Sequence, residues 1–158
     1  MNFRKAWPLL RHHLEKNKPN GILLLGEKSG GHLTLESIAQ NKRKSRRGLI
    51  PIGEGYPEKI ATPLPLKRII TTLAKRRNFQ NGFFSLGSDA GDYLCNFIYY
   101  KMLSTKKRIP ALFVHVPALT PLEFAREKKK YFRGLELIVF ELAKAIDGAG
   151  PNYTSREN

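Results

Sequence analysis

The sequence predicts an α/β domain built on a largely parallel or mixed sheet, and three observations lead there. Short apolar runs alternate with longer amphipathic stretches, the order that strands and covering helices leave in such folds. Clusters of Gly and Pro separate the segments. The 158 residues, 41% hydrophobic and 26% charged, suffice for one core and are too few for two ordinary domains. A single domain over residues 1–150 followed by a disordered tail at 151–158 is the expectation.

Taken in order, a first helix is expected over residues 7–16, with Pro8 tolerable only in its first turn. Lys18-Pro19-Asn20-Gly21 then leads into a buried strand at 22–25 that ends at Gly26. Residues 32–40 read two ways: Leu33 and Leu35 alternate as in a strand, which is the reading preferred, while Leu35, Ile38 and Ala39 also suit a helix. Seven Gly and Pro residues from 48 to 65 predict a long surface loop of the kind that often borders a site. Beyond it come a helix at 66–75, a strand at 83–86, a helix at 93–103, a strand at 111–116 and a last helix at 135–146.

The formal net charge of +15 is concentrated at Lys42-Arg43-Lys44 with Arg46-Arg47, at Lys75-Arg76-Arg77, at Lys106-Lys107-Arg108 and at Lys128-Lys129-Lys130. Such clusters attract nucleic acid non-specifically through counterion release, and they equally suit solvated helix ends and loops. No zinc finger, RRM-type aromatic motif or helix-turn-helix pattern accompanies them. The apolar run at 22–25 is far too short for a membrane span or a signal-peptide core, and one cysteine excludes an internal disulfide framework. A reducing, cytoplasmic setting without a membrane is therefore expected.

Cys95, the only cysteine, follows Ser88-Asp89-Ala90-Gly91-Asp92-Tyr93-Leu94, and His115 interrupts the apolar run Phe113-Val114-His115-Val116-Pro117. A thiol becomes a nucleophile when an imidazole or a helix N-terminus stabilises its thiolate. Cys95 is expected in the first or second turn of a helix capped by Asp89 or Asp92, where N–H groups can also receive an oxyanion. His115 falls near the carboxyl end of its strand, where crevices of open α/β sheets lie. The competing readings are a small buried hydrophobe for Cys95 and a satisfied core imidazole for His115. His12, His13 and His32 form no metal-ligand spacing.

The run from Ser88 through Cys95-Asn96-Phe97-Ile98-Tyr99-Tyr100, with Phe113-Val114-His115-Val116-Pro117, resembles the pyroglutamyl peptidase I family of cysteine peptidases. Leu25-Gly26 and Leu33-Thr34-Leu35-Glu36-Ser37-Ile38-Ala39-Gln40-Asn41 is similar to the family segment that holds its catalytic glutamate. The resemblance implies a three-layer α/β/α sandwich with a twisted mixed sheet. It also implies an exopeptidase that removes N-terminal pyroglutamate (5-oxoproline) from peptides without metal or cofactor. By this resemblance Glu36, Cys95 and His115 are the catalytic residues, Tyr93 and Leu94 line the lactam pocket, and Arg46 lies near the reacting carbonyl. Arg47 departs from the pattern, which has an apolar neighbour beside the arginine.

The family's first strand and Gly-Phe-x-Pro-Phe loop have no counterpart before Met1-Asn2-Phe3, so the likeness is expected to begin in the helix before the second sheet strand. A late start codon, a silent paralogue and a partner chain that completes the sheet each fit this. The last would make the partner a second copy in a homo-oligomer or another protein, since a missing strand leaves a sheet edge open. Two further classes stay in view: a catalytically silent interaction protein on the same fold, and a basic nucleic-acid-binding protein.

Overall fold

Four strands form the central sheet of the computed structural model, which describes residues 3–105 and 109–148. Strand β1 (Ile22–Lys28) runs parallel to β8 (Ala111–Pro117), β8 runs antiparallel to β2 (Leu33–Glu36), and β2 runs parallel to β7 (Phe84–Gly87). The sheet is mixed, with β1 and β7 at its edges. Helix α3 (Leu94–Leu103), with α1 (Phe3–Asn17) outside it, covers one face, while α2 (Leu66–Ala74) and α4 (Pro121–Asp147) cover the other. This is the α/β/α sandwich expected.

The period of β8 distributes its side chains between the layers. Leu112 and Val114 join Leu33, Leu35, Ile69, Leu73, Ile138 and Leu142 in an apolar core under α2 and α4. Phe113 faces the other way and packs with Ala39, Ala90, Tyr99 and Tyr100 under α3. His115, two residues on, shares the face of Phe113 because strand side chains alternate. A polar residue near the end of an otherwise apolar strand is thereby aimed at the N-terminal end of α3.

Several elements differ from expectation. Helix α1 begins at Phe3, not near Trp7, so Pro8 lies beyond the first turn. The lost N–H there is tolerable because the helix has no buried residue, and its start is held by Phe3 against Phe97, ring centroids 5.3 Å apart. Strand β1 continues past Gly26 to Lys28 because β8 offers a partner at each position, through Lys28 against Pro117. The preferred strand reading of 32–40 appears as β2 and β3 (Ile38–Gln40), broken at Ser37. The expected loop at 48–65 carries two short strands, β5 (Gly48–Ile50) and β6 (Lys59–Ala61). Strand β6 pairs with β3, and β5 closes a hairpin with β4 (Arg43–Ser45). Three-residue strands are too short to show a period, which is why the Gly and Pro signal dominated.

Helix α4 starts at Pro121, a full 14 residues before the expected position. Its start signal was present in the chain: Thr120 caps it, Pro121 occupies the first turn, and Glu123 closes a capping box. The lysines of 128–130 dilute the apolar period that reading by pattern depends on. The basic cluster Lys106-Lys107-Arg108 and the tail beyond Gly150 lie outside the described residues.

Candidate active site

The sheet register brings Glu36 and His115 together. Thr34 pairs with His115 and Glu36 with Phe113 across the antiparallel β2–β8 ladder, so Glu36 lies diagonal to His115 on the same face. The His115 Nδ1–H donates to Glu36 Oε1 at 2.8 Å, and both side chains are buried. With Nδ1 engaged, Nε2 is the nitrogen left for Cys95, with which His115 also hydrogen-bonds.

Cys95 occupies the second position of α3 and is half-buried. Tyr93 is the N-cap residue and makes no side-chain capping bond, so neither Asp89 nor Asp92 caps this helix as expected. Asp89 instead accepts from the Gly91 N–H at 2.9 Å and from Lys42 Nζ at 3.2 Å, folding the turn that delivers Tyr93, Leu94 and Cys95. The thiol lies over Gly26, the register partner of His115. A Cβ at Gly26 would stand 2.8 Å from Cys95 Sγ and 2.7 Å from Phe113 Cζ. Only a residue without a side chain lets α3 approach the sheet this closely.

Glu36 is held by its backbone and squeezed by its neighbours. Its carbonyl accepts from Tyr99 Oη at 2.8 Å, deep under α3, and burial pushes that phenol above its ordinary range. Gly87, its register partner in β7, has room for no Cβ, because that atom would overlap the Glu36 carboxylate. Oε2 is buried and makes no hydrogen bond, whereas Oε1 takes both His115 and, at 3.5 Å, Lys28 Nζ. Lys28 also donates to the Asp89 carbonyl at 3.2 Å, linking the carboxylate to the turn before Cys95.

The electrostatics follow from these contacts. Burial by itself would lower the His115 pKa, yet hydrogen bonds to Cys95 and Glu36 and attraction to their charges outweigh it and raise it to about 9. The imidazole is therefore protonated at neutral pH.

The three expected catalytic residues thus lie in one cluster; of the expected binding residues, Tyr93 and Leu94 directly precede Cys95 in the chain, whereas the described contacts do not join Arg46 to the cluster. Leu94 is half-buried and Tyr93 exposed. Arg46 sits in the exposed turn of the β4–β5 hairpin, and it is Lys44, not Arg46, whose Nζ stands 5.2 Å from the centre of the Tyr93 ring. The roles of four residues of this arrangement escaped the sequence reading: Gly26, Gly87, Lys28 and Asn96. A glycine inside a strand pattern does signal close approach, and Asn96 is a polar residue in an apolar helix. Fully buried, Asn96 accepts from Gln40 N and donates to the Gln40 and Lys42 carbonyls, all at 2.8 Å, tying α3 to the chain that leads into the hairpin. Among the described residues no group of three or more His, Cys, Asp or Glu could hold a metal, and no helix is long and apolar enough to cross a membrane.

Comparison with known proteins agrees with this architecture. The pyroglutamyl peptidase family model matches residues 1–149. A pyrrolidone-carboxylate peptidase of Halalkalibacterium halodurans is 31% identical over 75% of this chain and 63% of its own length. That of Brevibacillus brevis is 31% identical over 92% of this chain and 71% of its own. Among solved structures, pyrrolidone carboxyl peptidase from the hyperthermophile Pyrococcus furiosus superposes with a TM-score of 0.75 at 26% identity, covering 91% of this chain and 78% of that one. Pyroglutamyl peptidase I from Bacillus amyloliquefaciens gives 0.64 at 27%, covering 74% and 61%. The chain thus spans about two thirds of the length of these curated relatives.

Proposed function

Because the chain belongs to the pyroglutamyl peptidase family, we propose that it is a cysteine exopeptidase that removes N-terminal pyroglutamate from peptides. The observation that carries the proposal is the buried Glu36–His115 pair, with His115 hydrogen-bonded to Cys95 at the start of α3. In this reading Glu36 holds the imidazole by Nδ1, which fixes the ring and favours its cation. The Cys95 thiolate attacks the pyroglutamyl carbonyl, forming a C–S bond and moving the carbonyl electrons onto oxygen. First-turn N–H groups of α3, which have no acceptor one turn back, can stabilise that oxyanion.

As the C–N bond breaks, the His115 imidazolium gives its proton to the leaving amine, so the shortened peptide departs neutral at that nitrogen. The neutral imidazole then takes a proton from water, whose oxygen attacks the thioester. The C–S bond breaks, pyroglutamic acid leaves, and the thiolate and imidazolium are restored. Tyr93 and Leu94 are proposed to wall the neutral lactam, and Arg46 to approach the reacting carbonyl from the hairpin.

The test is release of a fluorescent amine from a pyroglutamyl reporter by this chain, with Cys95→Ala alongside. Turnover lost in the variant is the expected result; a folded protein without turnover would contradict the assignment. Alkylation gives a second reading at pH 6, where Cys95 should react with iodoacetamide faster than a free model thiol and His115→Ala should remove the advantage.

A further inference from the structure

The β4–β5 hairpin carries Lys42, Arg43, Lys44, Arg46 and Arg47, five cations within residues 42–47, and it is docked beside the nucleophile. The Lys44 N–H donates to the Asp92 carbonyl at 2.6 Å, Asn96 anchors the Lys42 carbonyl, and Lys44 Nζ lies over Tyr93. The cations of the hairpin and its surroundings are unequally paired. Lys42 is paired with Asp89 and Lys28 with Glu36, and Arg43 lies over the Phe3 ring. Lys44, Arg46 and Arg47 remain exposed at the outer end, with Asp92 as the nearby acid.

A pyroglutamyl group is a neutral lactam and removes the terminal ammonium of the peptide, so it offers this cationic surface neither attraction nor repulsion. Electrostatic discrimination must then come from the residues that follow it. We propose that the outer end of the β4–β5 hairpin, Lys44 with Arg46 and Arg47, selects pyroglutamyl peptides whose following residues are acidic. This inference rests on the peptidase reading above. Arg46 is already assigned to the reacting carbonyl, so Lys44 and Arg47 are the residues by which selectivity is separated from catalysis.

The test compares pyroglutamyl-Ala-Ala, pyroglutamyl-Glu-Glu and pyroglutamyl-Arg-Arg amides, with product amounts read by chromatography. At low salt the acidic peptide should exceed the neutral one by about tenfold in kcat/KM and the basic one should fall below both. About 0.5 M salt should bring the three together, because it shortens the screening length to a few Å. The double variant Lys44→Gln/Arg47→Gln should lose most of the acidic preference, read as the acidic-to-neutral ratio so that any change in the neutral-peptide rate through the Lys44 contact with Tyr93 cancels. Lys128→Gln/Lys129→Gln, which lowers the net charge equally on α4, should leave the preference in place. Equal rates for all three peptides, or equal loss of preference in both double variants, would overturn the inference while leaving the peptidase reading intact. No turnover of any peptide would overturn both. An independent arm uses the single cysteine: anionic iodoacetate relative to neutral iodoacetamide should label Cys95 faster in the wild type than in Lys44→Gln/Arg47→Gln, and an unchanged ratio counts against the hairpin.

Discussion

The two faces of the sheet are built to different rules. Under α2 and α4 the buried residues form one continuous apolar cluster, including Leu33, Leu35, Leu73, Leu112, Val114 and Ile138, each with no exposure. Under α3 the buried apolar cluster is smaller, and Glu36, Asn96 and His115 are buried beside it. Burying such groups costs free energy unless each finds partners, and Glu36 Oε2 has none. The first face holds the fold, while the second uses that rigidity to keep an ionisable cluster dry.

Exchanging one residue from each face should break this comparison most sharply. Leu112→Ala removes a fully buried side chain from the apolar face and should cost about 2–5 kcal/mol in denaturant unfolding. The variant molecules that remain folded should keep their kcat. Cys95→Ser should do the reverse, lowering turnover by roughly 10³-fold or more with a stability change under about 1 kcal/mol. A Leu112→Ala protein that loses kcat while folded would show that the faces are coupled.

Gly26→Ala tests how closely the catalytic face is fitted. The added methyl would push against Cys95 Sγ and Phe113, so the thiol must shift relative to His115. Misplacement of a reacting atom by about 1 Å can cost around 10²-fold in rate. The expected result is a fall in kcat of that order with KM less affected. Wild-type kcat would mean that the approach of α3 is looser than the register implies.

How much of this was legible depended on the kind of signal each residue leaves. The nucleophile and imidazole stand out because a lone thiol after a Gly-containing turn and a histidine inside an apolar strand both break their local patterns. Glu36 breaks none: it closes a short strand, and its partner stands 79 residues away, joined by a register that no local pattern encodes. It was reached through family resemblance alone. Lys28 was missed because β1 was expected to stop at Gly26, and only the extension alongside β8 carries the lysine to the carboxylate. The early start of α4 shows the opposite case, a strong capping signal in Thr120-Pro121-Leu122-Glu123 overruled by a weak apolar period.

The pH dependence refines the picture of the catalytic face. A pKa of about 9 for His115 in the folded chain lies above the ordinary value of 6.5, so protonation favours folding. That contribution is fully present below about pH 6.5 and is lost as the pH rises through about 9. Thermal midpoints followed from pH 6 to 9.5 should decline over this window in the wild type, and the part due to His115 should disappear in His115→Gln.

The smallest expected effect belongs to Lys28, which is half-exposed and therefore well screened. Its ammonium opposes the negative field of Glu36 at the imidazole, so Lys28→Met should move the His115 titration upward, not downward. Unit charges 4 Å apart interact by about 1 kcal/mol in water and by more beside a buried group, so an upward shift on the order of one pH unit is expected. Proton NMR titration of the His115 ring in Lys28→Met would measure it directly, with Lys28→Arg restoring the wild-type value. A downward shift would mean that Lys28 acts chiefly by keeping Glu36 oriented toward the ring through its bond to the Asp89 carbonyl, since losing that orientation weakens the contact that raises the imidazole.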